Sequence, residues 1–212
     1  MATDIRSLID HEDYRQVSLK TGLNPLIADQ MLERYLNQAE PHKTPVMMHT
    51  IGVPGAGKST YLKQYDKTNY VVISFDDIME DIPSYQTDRK LLGTEYAFQR
   101  WELCARAIGY ELLFRAIARN LNIIFDNSGS RTDHVTMLRQ LKNKHGYTIR
   151  MVYFAITEEL ALARAATRER YLPPHYIPER RQIIESLLPD YQALADHFET
   201  IHAQDDTLPL AS

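Results

Sequence analysis

Gly52-Val53-Pro54-Gly55-Ala56-Gly57-Lys58-Ser59 decides how this chain is read. The eight residues fit G-x-x-x-x-G-K-[ST], which cradles phosphates when a strand precedes it and a helix follows. Val46 to Ile51 is a short apolar run with strand character, so the first condition is met. The glycines let the loop turn tightly and bring successive backbone N–H groups against phosphate oxygens, where a Cβ would obstruct. Lys58 then reaches the β- and γ-phosphates, and Ser59 offers its hydroxyl to Mg²⁺. The start of the helix turns its positive dipole end toward the anion. Gly52 to Ser59 together with Thr60 are therefore the expected contacts to ATP or GTP.

Outward from the loop, short apolar strands alternate with amphipathic helices, the pattern of a parallel sheet covered on both faces. After Val46 to Ile51 the strands are Tyr70 to Ser74, Asn122 to Phe125, Ile149 to Ala155 and a weak fifth at Thr200 to His202. Ala97, Trp101, Cys104, Ile108, Leu112 and Ala116 recur at spacings of three and four, which predicts one long helix over Thr94 to Arg119. Trp101 and Cys104 are then core residues. Residues 1–44 read as helices broken at Gly22 to Pro25, too poor in apolar residues to fold alone. The expected architecture is α/β: a P-loop NTPase three-layer fold with a parallel five-stranded sheet. It forms a single domain over 1–212, with an N-terminal helical extension at 1–44 and a nucleotide-binding core at 45–212.

Composition narrows the partners. The chain has 212 residues, 44% hydrophobic and 25% charged, and a net charge of −4, which leaves no basic field for gripping a long nucleic acid through many phosphates. One cysteine excludes an intrachain disulfide and a multi-cysteine zinc site. No run approaches the ~18 apolar residues of a membrane span. The first residues lack the apolar stretch of a signal peptide, so the expected location is the cytoplasm.

Ligands of open α/β sheets bind beyond the carboxyl ends of the strands. The second strand ends in Ser74-Phe75-Asp76-Asp77 and the third in Asp126-Asn127-Ser128-Gly129. Asp76 is placed to accept a proton from an attacking hydroxyl, whereas Asp77 reads as an N-cap of the next helix. Asp126 suits either a place near magnesium, as at the end of a Walker B strand, or a substrate contact, and spacing leaves both open. After the fourth strand come Arg164, Arg168 and Arg170. The first two share a helix face and the third points elsewhere, and arginine's planar fork suits phosphate. Pro173 and Pro174 end that helix, which leaves Leu172 to Pro178 as a lid-like loop.

These residues resemble the zeta-toxin family of P-loop kinases and, more distantly, the 5′-polynucleotide kinases, over roughly Val46 to Asp190. The loop at Gly52 to Ser59 matches in its proline as well as its glycines. Asn122-Ile123-Ile124-Phe125-Asp126-Asn127-Ser128-Gly129 is similar to the family's apolar strand, acid, small residue, hydroxyl residue and glycine, and Glu169-Arg170-Tyr171 looks like its lid. The resemblance implies an ATP-dependent phosphotransferase with Asp76 as the proton acceptor. Lys58 and Arg170 would act on the transferred phosphoryl group, Arg168 would join the nucleotide contacts, and Asp126 with Ser128 would hold the acceptor. It implies a nucleotide or nucleotide-sugar acceptor, with UDP-N-acetylglucosamine foremost, and a small neutralising antitoxin as partner. The chain departs from the pattern at Asp126, where the family has glutamate, at Asn127 in place of glycine, and at His175 near a second lid arginine. Met79 stands where polynucleotide kinases carry arginine. A polynucleotide-end kinase, or a non-catalytic nucleotide switch whose N-terminal helices bind a partner, are the alternative readings.

Overall fold

The computed structural model describes residues 4–167, 171–173 and 175–203. After a short 3-10 turn at Ile5–Leu8 come α1 (Tyr14–Thr21), α2 (Pro25–Leu36), β1 (Val46–Ile51), α3 (Lys58–Gln64) and β2 (Val71–Ser74). α4 (Phe75–Glu80), α5 (Pro83–Leu92), α6 (Thr94–Ala118), β3 (Ile123–Asp126) and α7 (Thr132–His145) follow. The remainder is β4 (Thr148–Ala155), α8 (Glu158–Ala166), α9 (Tyr176–Leu194) and β5 (His197–His202). The five strands pair in the order β2-β3-β1-β4-β5, and every pairing is parallel. This is the three-layer P-loop fold expected from the sequence.

β1 lies at the centre of the sheet, and the chain returns to the edge at β2 before coming back to β3. The loop after β1 therefore opens beside the ends of β3 and β2 on one side and β4 and β5 on the other. Burial on both faces explains the continuous apolar runs: Met47, Met48, Ile123, Ile124 and Ile149 are at most 2% exposed. β5 is longer than expected. It is an edge strand whose polar residues face out, so only Phe198 and Ile201 carry an apolar signal, and the run could not be read beyond three residues.

α6 runs for 25 residues and buries most of its length, because several elements cover it. β2, α4, α5, α1 and α2 all pack against it. The N-terminal helices thus cover α6 more than the sheet. Leu32 and Leu36 of α2 and Val17 of α1 join the same buried cluster as the strands. Polar bonds close this contact: Arg6 donates to Glu111 at 2.6 and 3.2 Å, and Arg115 Nε reaches Glu111 at 2.7 Å. Arg115 Nη2 also donates to the Tyr14 hydroxyl at 2.9 Å, which donates to Asp29 at 2.6 Å.

Two differences concern the segment after β4. α8 ends at Ala166, before the prolines, and Tyr176, Ile177 and Pro178 form the first turn of α9 rather than a loop. Pro178 is tolerated because the first N–H groups of a helix have no intrahelical partner. Among the described residues no helix is long and apolar enough to cross a membrane.

Candidate active site

The phosphate loop is built by contacts on three sides. Gly57 takes φ 99° as it enters α3, a left-handed conformation open to glycine at no steric cost. At Gly55, φ 92°, a Cβ would stand 2.7 Å from the Ala161 carbonyl oxygen, so α8 rests directly on the loop. The Gly52 N–H donates to the Ser128 carbonyl at 2.9 Å, tying the loop to the segment after β3. Lys58 Nζ donates to the carbonyls of Gly52 at 2.7 Å and Val53 at 3.2 Å.

A cavity of about 270 Å³ opens beside this loop, and Lys58, Ser59, Asp76, Asp126 and Ser128 all line it. Parallel register brings the two acids together: Ser74 pairs with Asp126 across β2 and β3, and Asp76 follows in the first turn of α4. Close packing fixes α4. A Cβ on Gly109 of α6 would meet the Phe75 ring at 2.5 Å, so the glycine lets the helix seat against the residue before Asp76.

Ser74 caps α4, its hydroxyl accepting the Asp77 N–H at 3.2 Å. This corrects the expected N-cap role of Asp77, because the strand's last residue already supplies a hydroxyl in extended conformation and puts Asp77 inside the first turn. Asp77 is open to solvent on one side. Even so, the protein beside it, and then the charges of Asp126 and Asp76, push its carboxyl above the usual carboxylate range. Asp77 does not line the cavity, and Asp76 does.

Thr50, which the sequence reading passed over, holds Asp126. Its buried hydroxyl lies 2.8 Å from Asp126 Oδ1, as donor, and accepts the Asn127 N–H at 3.1 Å. Ser128 Oγ and Ser130 Oγ are 2.7 Å apart, and Tyr191 of α9 braces the loop by donating to the Gly129 carbonyl at 3.1 Å. Thr50 falls inside an apolar strand, where a hydroxyl residue attracts no notice. Its signal is position, one residue from the strand end and beside β3.

Thr60 faces away from this cavity. It lines a groove on the other side of the loop with Gly57, Tyr61, Arg164 and Ile201. Arg164, which spacing left on a neutral helix face, thus belongs to the loop's surroundings. Arg168 and Arg170 lie outside the described residues, as does Pro174. His175 is exposed at the start of α9 and packs its ring edge-on against Tyr176. Met79 is buried in the cavity wall.

Beneath the site, His49 of β1 and His134 of α7 are fully buried with ring centroids 5.8 Å apart. Burial pushes the His49 imidazole down to about 4, and His134 is lowered by burial and by His49. His134 Nε2 meets the Tyr110 hydroxyl at 3.1 Å. Among the described residues no cluster of histidine, cysteine, aspartate or glutamate has the makings of an all-protein metal site. The oxygen donors of Ser59 and Asp126, which line the same cavity, instead suit the hard, few-ligand set that magnesium takes when phosphates supply the rest.

A parallel sheet with the β1 loop at its centre, and acids at the ends of two neighbouring strands beside it, defines a protein of the P-loop NTPase fold. The AAA domain family model matches residues 47–182, and the chain belongs to that family. No curated protein matches it in sequence. Among solved structures, one from the PezAT chromosomal toxin-antitoxin system of Streptococcus pneumoniae is similar, with a TM-score of 0.65 at 19% identity. The match covers 84% of this chain and 75% of that one. The AvrRxo1-ORF1:AvrRxo1-ORF2 complex with sulphate ions matches with a TM-score of 0.60 at 12% identity. It covers 84% of this chain and 63% of its own, and a form with ATP gives 0.59. At these identities the likeness is one of fold, and it agrees with the zeta-toxin resemblance of the sequence.

Proposed function

We propose that the chain is an ATP-dependent phosphotransferase that phosphorylates a hydroxyl of a small nucleotide-type acceptor, with UDP-N-acetylglucosamine the first to test. One observation carries this reading: Lys58 and Ser59 of the phosphate loop share a single cavity with Asp76 and Asp126. A phosphoryl group leaving ATP and a hydroxyl arriving at Asp76 would then meet in one cavity. Phosphoryl transfer asks mostly for positioning and charge compensation, which such a cavity can give.

In this scheme Lys58 binds the phosphates, Asp76 orients the acceptor hydroxyl and accepts its proton, and Asp126 with Ser128 holds the acceptor. Arg170 is assigned to the transferred phosphate, and Arg168 to the nucleotide, by family resemblance. Ser59 would hold Mg²⁺, which offsets phosphate charge when bound. The groove along Thr60 and Arg164 is offered to the nucleoside end of ATP or GTP. Two similar structures are described as parts of a toxin-antitoxin system and of a two-protein complex, which supports a small antitoxin as partner. Cytoplasmic residence belongs to the same reading, with residues 1–44 as an extension of one catalytic domain.

The test is incubation with ATP and Mg²⁺ against nucleotide sugars, nucleotides and oligonucleotides, followed by mass spectrometry. The reading expects a gain of one phosphate on a small acceptor. Phosphate appearing solely on oligonucleotide ends would favour a polynucleotide-end kinase. Slow hydrolysis with no phosphorylated acceptor would favour a nucleotide switch.

A further inference from the structure

One face of α6 breaks the helix's apolar character. Phe98, Glu102, Arg106 and Tyr110 stand four residues apart, so they form a single stripe along the helix. All four line the cavity that holds Lys58 and Asp76. From the start of α7 Arg131 brings its guanidinium to 5.8 Å from the centre of the Tyr110 ring. Arg106 stands one turn before Tyr110 on the stripe, so both guanidiniums border the same cavity. Their own neighbours differ. Arg131 is held by Asp133, with Nε at 2.9 Å, whereas Arg106 meets Glu102 at 3.9 Å, beyond hydrogen-bond distance.

A charged pair that lies along a cavity wall at that distance has little value for stability, since partly exposed i,i+4 pairs contribute only about 0.3–0.5 kcal/mol. A long guanidinium fork beside an open volume is suited to a second anion, and the positive charge of Arg131 in the same cavity adds to the pull on an oxyanion. Phe98 and Tyr110 at the ends of the stripe add ring surface for an uncharged part of the same molecule.

We propose that Arg106, which shares the cavity with Arg131, is the specificity-determining residue that binds an anionic group of the acceptor, with Glu102 as the countercharge beside its guanidinium until the acceptor arrives. This deepens the phosphotransferase reading and rests on it for the word acceptor. The chemistry required is an oxyanion on a hydroxyl compound, and phosphate or carboxylate can supply it.

Equilibrium binding separates this inference from the reading beneath it, because it needs no turnover. The full chain is saturated with a non-hydrolysable ATP analogue and Mg²⁺ and titrated calorimetrically with glucose 1-phosphate, gluconate and glucose. Glucose 1-phosphate is expected to bind at least about tenfold more tightly than glucose, and Arg106→Gln to remove most of that difference. Arg106→Lys should restore part of it, since a point charge replaces a fork. Glu102→Gln should tighten binding of the anion two- to threefold by removing the competing charge, a change that no purely structural role produces. Melting curves certify that each variant is folded. Gluconate binding as tightly as glucose 1-phosphate assigns the subsite to carboxylates as well, within the proposal. Equal affinity for glucose and the two anions, or an anion preference untouched in folded Arg106→Gln, overturns it. Failure of every acceptor to gain phosphate would overturn the phosphotransferase reading and leave this binding result standing by itself.

Discussion

α6 carries two charged regions, and they are built differently. Toward the N-terminal helices, Glu111 and Arg115 are locked by Arg6, Tyr14 and Asp29 through bonds of 2.6 to 2.9 Å, and the Glu111 side chain is only 11% exposed. Two turns earlier, Glu102 and Arg106 face a cavity and stand 3.9 Å apart. The first region spends its charges on closing an interface between helices. The second keeps charge beside an open volume next to the phosphate loop. The same residue types on one helix thus differ in what surrounds them, and substitutions should separate the structural pair from the one proposed to bind the acceptor.

The largest effect is expected at the loop itself. Lys58→Ala should lower turnover about 10³-fold and weaken ATP binding in calorimetry, because its charge acts on phosphates in ground and transition states alike. Unchanged affinity and turnover together would remove the nucleotide from this loop.

Next comes the interface region. Glu111→Gln should lower unfolding free energy by about 2–4 kcal/mol in urea, since Arg6 and Arg115 lose their countercharge. Turnover per folded molecule should stay near the parent value. Protonation tests the same bond: Arg6 and Arg115 hold the Glu111 carboxyl below its usual value against the opposing pull of burial. A lowered folded-state value means stability that is complete above the unfolded value and lost as pH falls. A loss of turnover without a loss of stability would reverse the division drawn between the two regions.

Thr50→Val lies between the two regions in effect. It keeps shape but leaves Asp126 and the Asn127 N–H without their hydroxyl, so turnover should fall roughly tenfold and stability by about 1–3 kcal/mol. Thr50→Ser should recover most of the activity.

The buried imidazoles add a pH dependence of the same sign. Their folded-state values lie below the ordinary histidine range, so the unfolded chain takes up protons first as pH falls. Stability should therefore decline from about pH 6.5 toward pH 4, by up to about 1.4 kcal/mol per pH unit for each imidazole. His49→Phe should flatten that slope in urea titrations at several pH values. The smallest effect belongs to Glu102→Gln, which should move stability by no more than about 0.5 kcal/mol.

Much of the fold was legible because a sheet buried on both faces writes itself as short apolar runs, and Val46 to Ile51 and Ile149 to Ala155 did so. β5 was half legible, since an edge strand shows polar residues to water. The start of α9 was hidden by Pro173, Pro174 and Pro178, which read as loop although a first-turn proline fits a helix. At the site, Lys58, Ser59, Asp76, Asp126 and Ser128 came from a loop pattern and strand ends, and they meet in one cavity. Thr50's bond to Asp126 and the places of Arg106 and Arg131 in the cavity were not legible, because they depend on which elements face one another, which spacing along one segment does not contain. Ser74 outcompeted Asp77 as a cap for a local reason, a hydroxyl already sitting at the strand's end.

The central claim is that the phosphate loop and Asp76 serve one transfer reaction. Asp76→Asn preserves shape and removes the proton acceptor, so single-turnover transfer from radiolabelled ATP to the acceptor should slow by about 10²-fold or more. ATP affinity should remain within about twofold of the parent. Transfer at the parental rate, or a parallel loss of ATP binding, would contradict the account.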